Sequence, residues 1–541
     1  MKIKFLLNQV NNPYHITINP LFFFIKTYYD IYGMNDQVEW LRCEHVIFDS
    51  VEKSAQAIVA AGVDVLGLSI FIWNEDYQYA IAKKVKELDP AIVIVFGGPQ
   101  LDAHKNPNFF KTHPYVDWVC YGDGERAFQL LIDQLSDLYN GPLINMVENV
   151  AGNTLVHDYE IISDEKYLGT GALIAQKDVI LDTLEYLEEH DITNKQLFFA
   201  VEFARGCMYS CSFCDWSQNL TKKVKRRTHN WRAEIDLLHE LDVSVRETDA
   251  NFGQWKEDIE IFDYAVGLYD PTRNFRFSVS NTSKLNKDAT FHIMSTQAKK
   301  YNAPAVVSIQ DFDADVLKNI DRPGLDYEQQ VDFIKRLFVE LHDRTHLITI
   351  QIIIGLPGQT YESIKDTVIK TYELGITNHM IFPFAYLINS PAADKLYERM
   401  HGLKWKKTFG INGYFENINY TDISVDATNL EELYVKANDN KLVEGMWASS
   451  TTLYETNTLS FYNYIRSHIF ITLSKQFQRK MVENKLPVNY KKMYTVFDSK
   501  VNQLTDNYMK VHRPLIEKYN VYMMAIPEID SKVLNRFSAL I

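Results

Sequence analysis

The sequence predicts an α/β protein: an N-terminal doubly wound domain, a central partial (β/α)6 barrel and a mainly helical C-terminal domain. Three observations carry this expectation. Short, apolar, branched segments alternate with helix-patterned segments along most of the chain, the pattern of parallel βαβ units. Glycines cluster where several of those apolar segments end. After about Leu403 the sequence turns aromatic and helix-patterned.

Taken in order, Ile3 to Leu7 reads as a buried strand and Ser54 to Ala61 as a helix. Asp64 to Ile70 is a second strand, and Asp76 to Leu88 a helix with Ala80, Ile81 and Val85 on one face. Ala91 to Phe96 is a third strand running into Gly97-Gly98-Pro99. Val116 to Cys120 is a fourth, followed by Gly122-Asp123-Gly124-Glu125 and a helix from Arg126 to Leu138. Near-continuous apolar strands fit a sheet covered on both faces. Residues 141–195 read as a connecting region with one or two helices. Six strands in βα order follow: Phe198 to Phe203, Val243 to Thr248, Phe275 to Ser280, Ala305 to Ile309, Leu347 to Ile354 and His379 to Phe384. They suggest an open or partial barrel. Asn429 to Trp447 and Tyr462 to Val482 read as helices. The expected domains are therefore 1–140, 141–195 (a linker region), 196–400 and 401–541.

The chain has 541 residues and a net charge of -14, from 56 basic and 70 acidic residues. That acidic balance argues against a general nucleic-acid binder, whose surface must meet phosphates with positive charge. The opening Met1 to Asn8 is too short in its apolar run for a signal peptide. No stretch approaches the roughly 18 apolar residues of a membrane helix, and Lys26 ends the densest aromatic patch, Leu21 to Ile25. A cytoplasmic protein without membrane or nucleic-acid partners is expected.

Three of five cysteines fall in Arg205-Gly-Cys207-Met-Tyr-Ser-Cys211-Ser-Phe-Cys214-Asp-Trp216. Clustered cysteines in a reducing compartment point to metal or redox chemistry. The loop follows a strand, where α/β barrels place their chemistry. Three thiolates at CxxxCxxC spacing suit an iron–sulfur cluster and leave one of four irons open. The alternative is a three-cysteine zinc site completed by a histidine, for which His229 is the nearest downstream candidate. Cys43 and Cys120 read as small apolar residues.

The cysteine motif, with aromatic Phe213 before its last cysteine, resembles the radical S-adenosylmethionine (SAM) superfamily. The following Asp215-Trp216 resembles a cobalamin-binding subset, the class B methyltransferase-like enzymes; those usually continue with Gly, where this chain has Ser217. Later strand ends resemble the same proteins in order: Glu247 to Gly253 (Glu-Thr-Asp-Ala-Asn-Phe-Gly), Ser278 to Asn281, Val307 to Gln310, and Gly355-Leu-Pro357-Gly. The resemblance covers residues 196–400. It implies a 4Fe-4S cluster on Cys207, Cys211 and Cys214. It also implies SAM contacts from Phe213, Asp249, Asn251, Ser308, Gln310, Gly355 and Pro357.

The first 140 residues resemble the cobalamin-binding fold that precedes the barrel in one branch of that superfamily. Ser69, Trp73, Asn74, Gly97, Gly98, Gly122, Asp123, Gly124 and Glu125 are the implied cobalamin contacts, at the carboxyl edge of the sheet where open α/β folds bind ligands. The loop after the first strand, Asn8 to His15, lacks the Asp-x-His-x-x-Gly that supplies cobalt with a lower histidine in many such domains. Asp102-Ala-His104 carries half of that pattern after another strand and reads as a surface turn. A generic doubly wound domain with glycine turns is the alternative.

The resemblance implies methylation of an unactivated carbon through a 5'-deoxyadenosyl radical and methylcobalamin. A small-molecule, peptide or amino-acid-like substrate and an electron donor such as flavodoxin or ferredoxin would complete the reaction. C-terminal aromatics (Trp405, Tyr414, Phe415, Tyr420, Trp447, Tyr454) read mostly as core, with a few lining a pocket. A cobalamin-dependent cyclase, rearrangement enzyme or oxidase, and a non-catalytic cobalamin or iron–sulfur sensor, are the competing readings. The sequence singles out no catalytic residue.

Overall fold

The computed structural model describes residues 3–8, 15–18, 21–34, 38–41, 50–160, 172–189, 196–216, 224–226, 230–284, 287–322, 326–411, 430–438, 446–483 and 490–523. The chain divides into two units, Met1–Met208 with Asp215–Ala289, and Tyr209–Cys214 with Thr290–Ile541.

In the first unit the strands are β1 (Ile3–Asn8), β2 (His15–Ile18), β3 (Val38–Trp40), β4 (Val65–Ser69), β5 (Val93–Gly97), β6 (Trp118–Cys120), β7 (Met146–Val150), β8 (Asn153–Val156) and β9 (Gln196–Val201). The short pair β10 (Ala204–Arg205) and β11 (Lys225–Arg226) follows, then β12 (Ser244–Glu247) and β13 (Phe277–Val279). Its helices are α1 (Leu21–Tyr32), α2 (Val51–Ala60), α3 (Glu75–Leu88), α4 (Phe109–Thr112), α5 (Gly124–Leu135), α6 (Ala172–Ala175), α7 (Lys177–Glu189), α8 (Trp231–Glu240) and α9 (Lys256–Gly267).

Seven strands form one sheet in the order β3-β1-β4-β5-β6-β7-β8. The first five pair in parallel. Every residue of β4 is buried, as a strand covered on both faces must be. The covering helices are amphipathic: α3 buries Tyr77, Ile81, Ala82 and Val85 at helical spacing. Ile81 and Val85 are fully enclosed, so truncating Ile81 to alanine would cost roughly 2–5 kcal/mol. On the α1 and α5 side, Phe5 packs against Phe128 at 4.4 Å, tilted, and against Trp40 at 5.3 Å, edge to face.

Residues 141–195 hold the helices α6 and α7 and also the antiparallel hairpin β7–β8 at the edge of this sheet. Ala151 and Gly152 close the hairpin with φ of 51° and 84°, the positive values that a tight two-residue turn requires. A weak apolar pattern over short strands hid this hairpin from the sequence.

A second sheet has the order β13-β12-β9-β2. Here β2, which the sequence reading left inside the first domain, pairs in parallel with β9, Ile18 opposite Phe199. The first sheet is therefore built without residues 15–18.

The second unit contains most of α10 (Lys287–Tyr301), then β14 (Ala305–Gln310), α11 (Ala314–Asn319), α12 (Tyr327–Glu340), β15 (Ile348–Ile354), α13 (Tyr361–Glu373), β16 (Asn378–Pro383), α14 (Lys395–His401), β17 (Lys404–Ile411), α15 (Leu430–Asn438), β18 (Met446–Glu455), α16 (Phe461–Glu483), α17 (Tyr490–Tyr519) and β19 (Val521–Met523). Strands β14-β15-β16 are parallel, and β18-β17-β19 form a separate sheet. The C-terminal region is thus mainly helical with a small sheet added. Trp447, expected to end a helix, lies in β18. The hydroxyl and branched run Ser449 to Thr452 favours a strand, because such side chains compete with helical hydrogen bonds. One apolar core joins β14–β16 to the C-terminal helices, through Ile350, Ile352, Tyr464, Phe470 and Tyr522. Trp405 packs on Phe384 at 5.1 Å and Tyr454 on Phe461 at 4.2 Å, core roles as expected. Tyr414, Phe415, Tyr420 and the Trp447 side chain lie outside the described residues. Among the described residues, no helix is long and apolar enough to cross a membrane.

Candidate functional site

With β2 set aside, the first sheet's order β3-β1-β4-β5-β6 is a doubly wound 2-1-3-4-5 arrangement. Its ligand site is expected at the carboxyl ends of the strands, where the winding reverses. The loop after β1, residues 9–14, lies outside the described residues. The loop after β4 is closed by Asn74, whose Oδ1 accepts from the Phe71 amide at 2.7 Å and whose Nδ2 donates to the Ser69 carbonyl at 2.9 Å. Trp73 stacks on Phe71 at 4.5 Å. The Ser69 hydroxyl is buried without a hydrogen-bond partner.

Ser69 stands opposite Gly97 in the parallel ladder. Gly98 has φ +111°, and a β-carbon there would collide with the Ile70 carbonyl oxygen. Gly97 is different: the nearest atom to a β-carbon would be 4.0 Å away, so the fold itself does not require glycine there. After β6, Gly122 has φ +77°, and a β-carbon would meet the Tyr159 ring at 2.8 Å. Gly124 begins α5 behind Asp123. Asp102-Ala-His104 is not the surface turn that the sequence suggested: Ala103 is fully buried, and His104 stacks on Tyr121 at 4.9 Å. Burial pulls the His104 imidazole down to about 4. Cys120 packs beside the apolar core as expected, with its thiol pushed up to about 12 by burial.

The Asp123 and Glu125 side chains point to protein partners. Asp123 pairs with Lys225 and, at 3.3 Å, with Arg205. Glu125 Oε1 takes Arg205 Nη1 at 2.8 Å, while its Oε2 is buried and unpartnered. Arg205 also grips Glu202, through Nε at 3.1 Å and Nη2 at 2.9 Å.

Further along this unit, Asn251 Nδ2 donates to the Cys207 sulfur at 2.9 Å. Asp249 Oδ1 accepts from the Phe203 amide at 2.8 Å. The carboxyls of Glu247 and Asp249 are both buried and held above the ordinary carboxylate range, by burial first. Among the described residues, Glu247 Oε2, Asp249 Oδ2 and Asn251 Oδ1 are buried without a protein donor, and the two carboxyls face each other. The end of β12 thus gathers unsatisfied acceptors, which a cationic or hydrogen-bond-donating ligand would satisfy. Asp215 is pushed up to about 6 by burial, and Trp216 is exposed.

In the second unit, Ser212 is pinned: its amide donates to the Ile320 carbonyl at 2.8 Å and its hydroxyl meets the Tyr397 hydroxyl at 2.8 Å. The Cys214 amide donates to the Cys211 carbonyl at 3.1 Å, a tight turn between the two thiols. Arg322 hydrogen-bonds to Cys211 and lies near Cys214; burial lowers its pKa. Its guanidinium also sits over Phe213 at 5.8 Å and donates to the Ser308 carbonyl. Ser308 Oγ donates to Gln351. Gln310 adopts φ +65°, and its Oε1 is buried and unpartnered. At the end of β15 the Gly355 amide donates to Gln359 Oε1 at 2.7 Å, and Asn319 Nδ2 donates to the Pro357 carbonyl at 3.1 Å.

Sequence reasoning missed Arg205, Lys225 and Arg322 as site residues. Arg205 and Arg322 carried a hint, one adjoining the cysteine motif and the other preceding Pro323-Gly324. Ser217, His229 and Cys43 lie outside the described residues. Among the described residues, no three Cys, His, Asp or Glu side chains are grouped to share one metal ion. A cubane asks for a wider spacing, since each thiolate meets a different iron.

The B12 binding domain family matches residues 29–132. The fold, over most of the chain, is that of solved cobalamin-dependent radical SAM enzymes. Among solved structures the chain is similar to TsrM from Kitasatospora setae, a radical SAM methyltransferase. The TM-score there is 0.52 at 14% identity, over 74% of this chain and 76% of that one. It is similar to OxsB, a cobalamin-dependent SAM radical enzyme, with a TM-score of 0.53 at 13% identity over 99% and 78%. In sequence it is 32% identical over 368 residues to the cobalamin-dependent radical SAM methyltransferase TokK of Streptomyces tokunonensis, covering 65% of this chain and 51% of that protein. It is 30% identical over 357 residues to the 2-(S-pantetheinyl)-carbapenam-3-carboxylate methyltransferase of Streptantibioticus cattleyicolor, covering 64% and 50%. The chain spans about half the length of these two relatives.

Proposed function

We propose that this chain is a cobalamin-dependent radical SAM methyltransferase acting on an unactivated carbon of a small molecule or peptide. It would work in the cytoplasm with a flavodoxin- or ferredoxin-like electron donor. The observation that carries the reading is the CxxxCxxC loop after β9, with the Asn251 amide on the Cys207 sulfur, in a chain that also has a B12-binding segment.

The residues present fit the groups proposed. The buried, unpartnered Ser69 hydroxyl and Glu125 Oε2 suit the primary amides that rim a corrin. Exposed backbone at Gly98 and Gly122 lets a flat ligand approach closely. Cys207, Cys211 and Cys214 would hold the cluster. Asp249, Asn251 and Gln310 offer buried acceptors for the SAM ammonium and ribose hydroxyls. Arg322 offers a buried cation for the SAM carboxylate. When bound, these groups supply an adenosyl radical and a transferable methyl group. The protein's part is to exclude water, to orient SAM and to present the buried Glu247–Asp249 pair to its cationic end.

The test is anaerobic purification, cluster reconstitution and a visible spectrum with and without hydroxocobalamin, followed by mass analysis of a SAM reaction. Iron and sulfide near a cubane's content, cobalamin retained on desalting, and a product heavier by one CH2 unit support the reading. A product of unchanged composition would point to cyclisation or rearrangement. Failure to cleave SAM would point to a sensor.

A further inference from the structure

Arg205 lies two residues before Cys207 and holds carboxylates from two parts of the chain. Its Nη1 donates to Glu125 Oε1 at 2.8 Å and to Asp123 Oδ1 at 3.3 Å, on the turn after β6. Its Nε and Nη2 hold Glu202, just after β9. Lys225, its antiparallel partner across β10–β11, binds the other Asp123 oxygen. This network is not a surface ornament: Glu125 is 2% exposed, Lys225 5% and Asp123 8%. Buried charges held this way keep one geometry, since losing any partner leaves another uncompensated. A guanidinium fork spanning three carboxylates has no lysine equivalent.

The turn 122–125 falls inside the matched B12-binding segment, and Glu125 keeps one buried oxygen without a partner. Any ligand that engages this turn must act on Glu125 and Asp123. Any force on the cysteine loop acts on Arg205 through one intervening glycine. We infer that Arg205 is a positioning residue that couples the two cofactor sites, so that the filled cluster loop strengthens cobalamin binding and bound cobalamin strengthens cluster retention. The inference rests on the two-cofactor reading above. The coupling is reciprocal, as any linkage between two binding equilibria must be.

The experiment titrates hydroxocobalamin into the full chain, anaerobically, with the cluster reconstituted and again without it, and takes the ratio of dissociation constants. The cluster is followed by iron content and by electron paramagnetic resonance of the reduced form. In the unsubstituted protein the ratio should be about tenfold in favour of the cluster-loaded form, within the usual range of such couplings. In Arg205→Met it should fall to about one, with cobalamin also ceasing to slow iron loss to a chelator. Arg205→Lys keeps the charge but not the fork and should give an intermediate ratio; it decides the matter if the methionine variant does not fold. A ratio unchanged in the folded variants, or a ratio of one in the unsubstituted protein, overturns the coupling while leaving both cofactors in place. No cobalamin binding by any form would overturn the two-cofactor reading itself, and the coupling with it.

Discussion

Gly97 and Gly98 are neighbours in one motif, yet the structure assigns them different constraints, and alanine at each position separates folding from binding. At Gly98, φ is +111° and a β-carbon would strike the Ile70 carbonyl oxygen. A non-glycine residue in such a conformation costs about 1–3 kcal/mol. Moving Ile70 also disturbs its two backbone hydrogen bonds, from its amide to the Gly97 carbonyl at 2.7 Å and from the Gln100 amide to its own carbonyl at 3.3 Å. Each contributes roughly 0.5–1.5 kcal/mol. Gly98→Ala should therefore destabilise the first unit by ~2–6 kcal/mol, a large part of the 5–15 typical of a domain. At Gly97 the space is open to 4.0 Å, so alanine should be neutral or stabilise by about 0.5 kcal/mol by restricting the unfolded chain. If cobalamin lies against Gly97, that same methyl should still weaken cobalamin retention. Urea unfolding followed by circular dichroism measures the first effect, and desalting after hydroxocobalamin loading the second. Equal stability losses at the two positions would refute the steric reasoning. Full cobalamin retention by Gly97→Ala would refute placing the ligand at this strand end.

Three further outcomes are expected. Glu247 and Asp249 have raised native pKa values, so their favourable contribution is present at low pH and is lost as pH rises from the ordinary carboxylate range through the raised values. Asp249→Asn should flatten that loss, giving urea midpoints at pH 5 and pH 8 closer together than in the unsubstituted protein; a steeper difference would contradict the burial argument. Replacing Cys207, Cys211 or Cys214 with alanine should abolish cluster iron after reconstitution, and iron retained in all three variants would rule out the assigned ligand set. Asn251→Ala removes the amide donated to the Cys207 sulfur and should lower the reduction potential of the reconstituted cluster, because a thiolate without that donor carries more charge; an unchanged potential in spectroelectrochemistry would count against it.

The strands were legible because they are short, apolar, branched runs. Ile348–Ile354 and Val65–Ser69 fall where the branched residues lie. The cysteine loop was legible because its spacing is local. What escaped reading was non-local. Nothing in His15–Ile18 reveals that it leaves its neighbours to pair with β9, since four residues carry no partner information. Asp123 and Glu125 read as ligand contacts from their glycine-flanked turn. The structure commits both to Arg205, some eighty residues later in the chain. Ion pairing of that kind depends on distance in space and leaves no periodicity. Asn74 likewise reads as a contact but closes its own turn.

The excursion of β2 bears on how the protein is made. Residues 15–18 leave the ribosome long before their partner β9, which begins at Gln196. Until that strand emerges, the N-terminal sheet can pair β1, β3, β4, β5 and β6 while β2 waits as an open edge, the kind of surface that recruits wrong partners. A fragment ending near residue 140 would carry that edge permanently. The first unit's opening region is thus tied to later residues by its own second strand, and cutting it out as a stand-alone fragment would leave that strand without its partner.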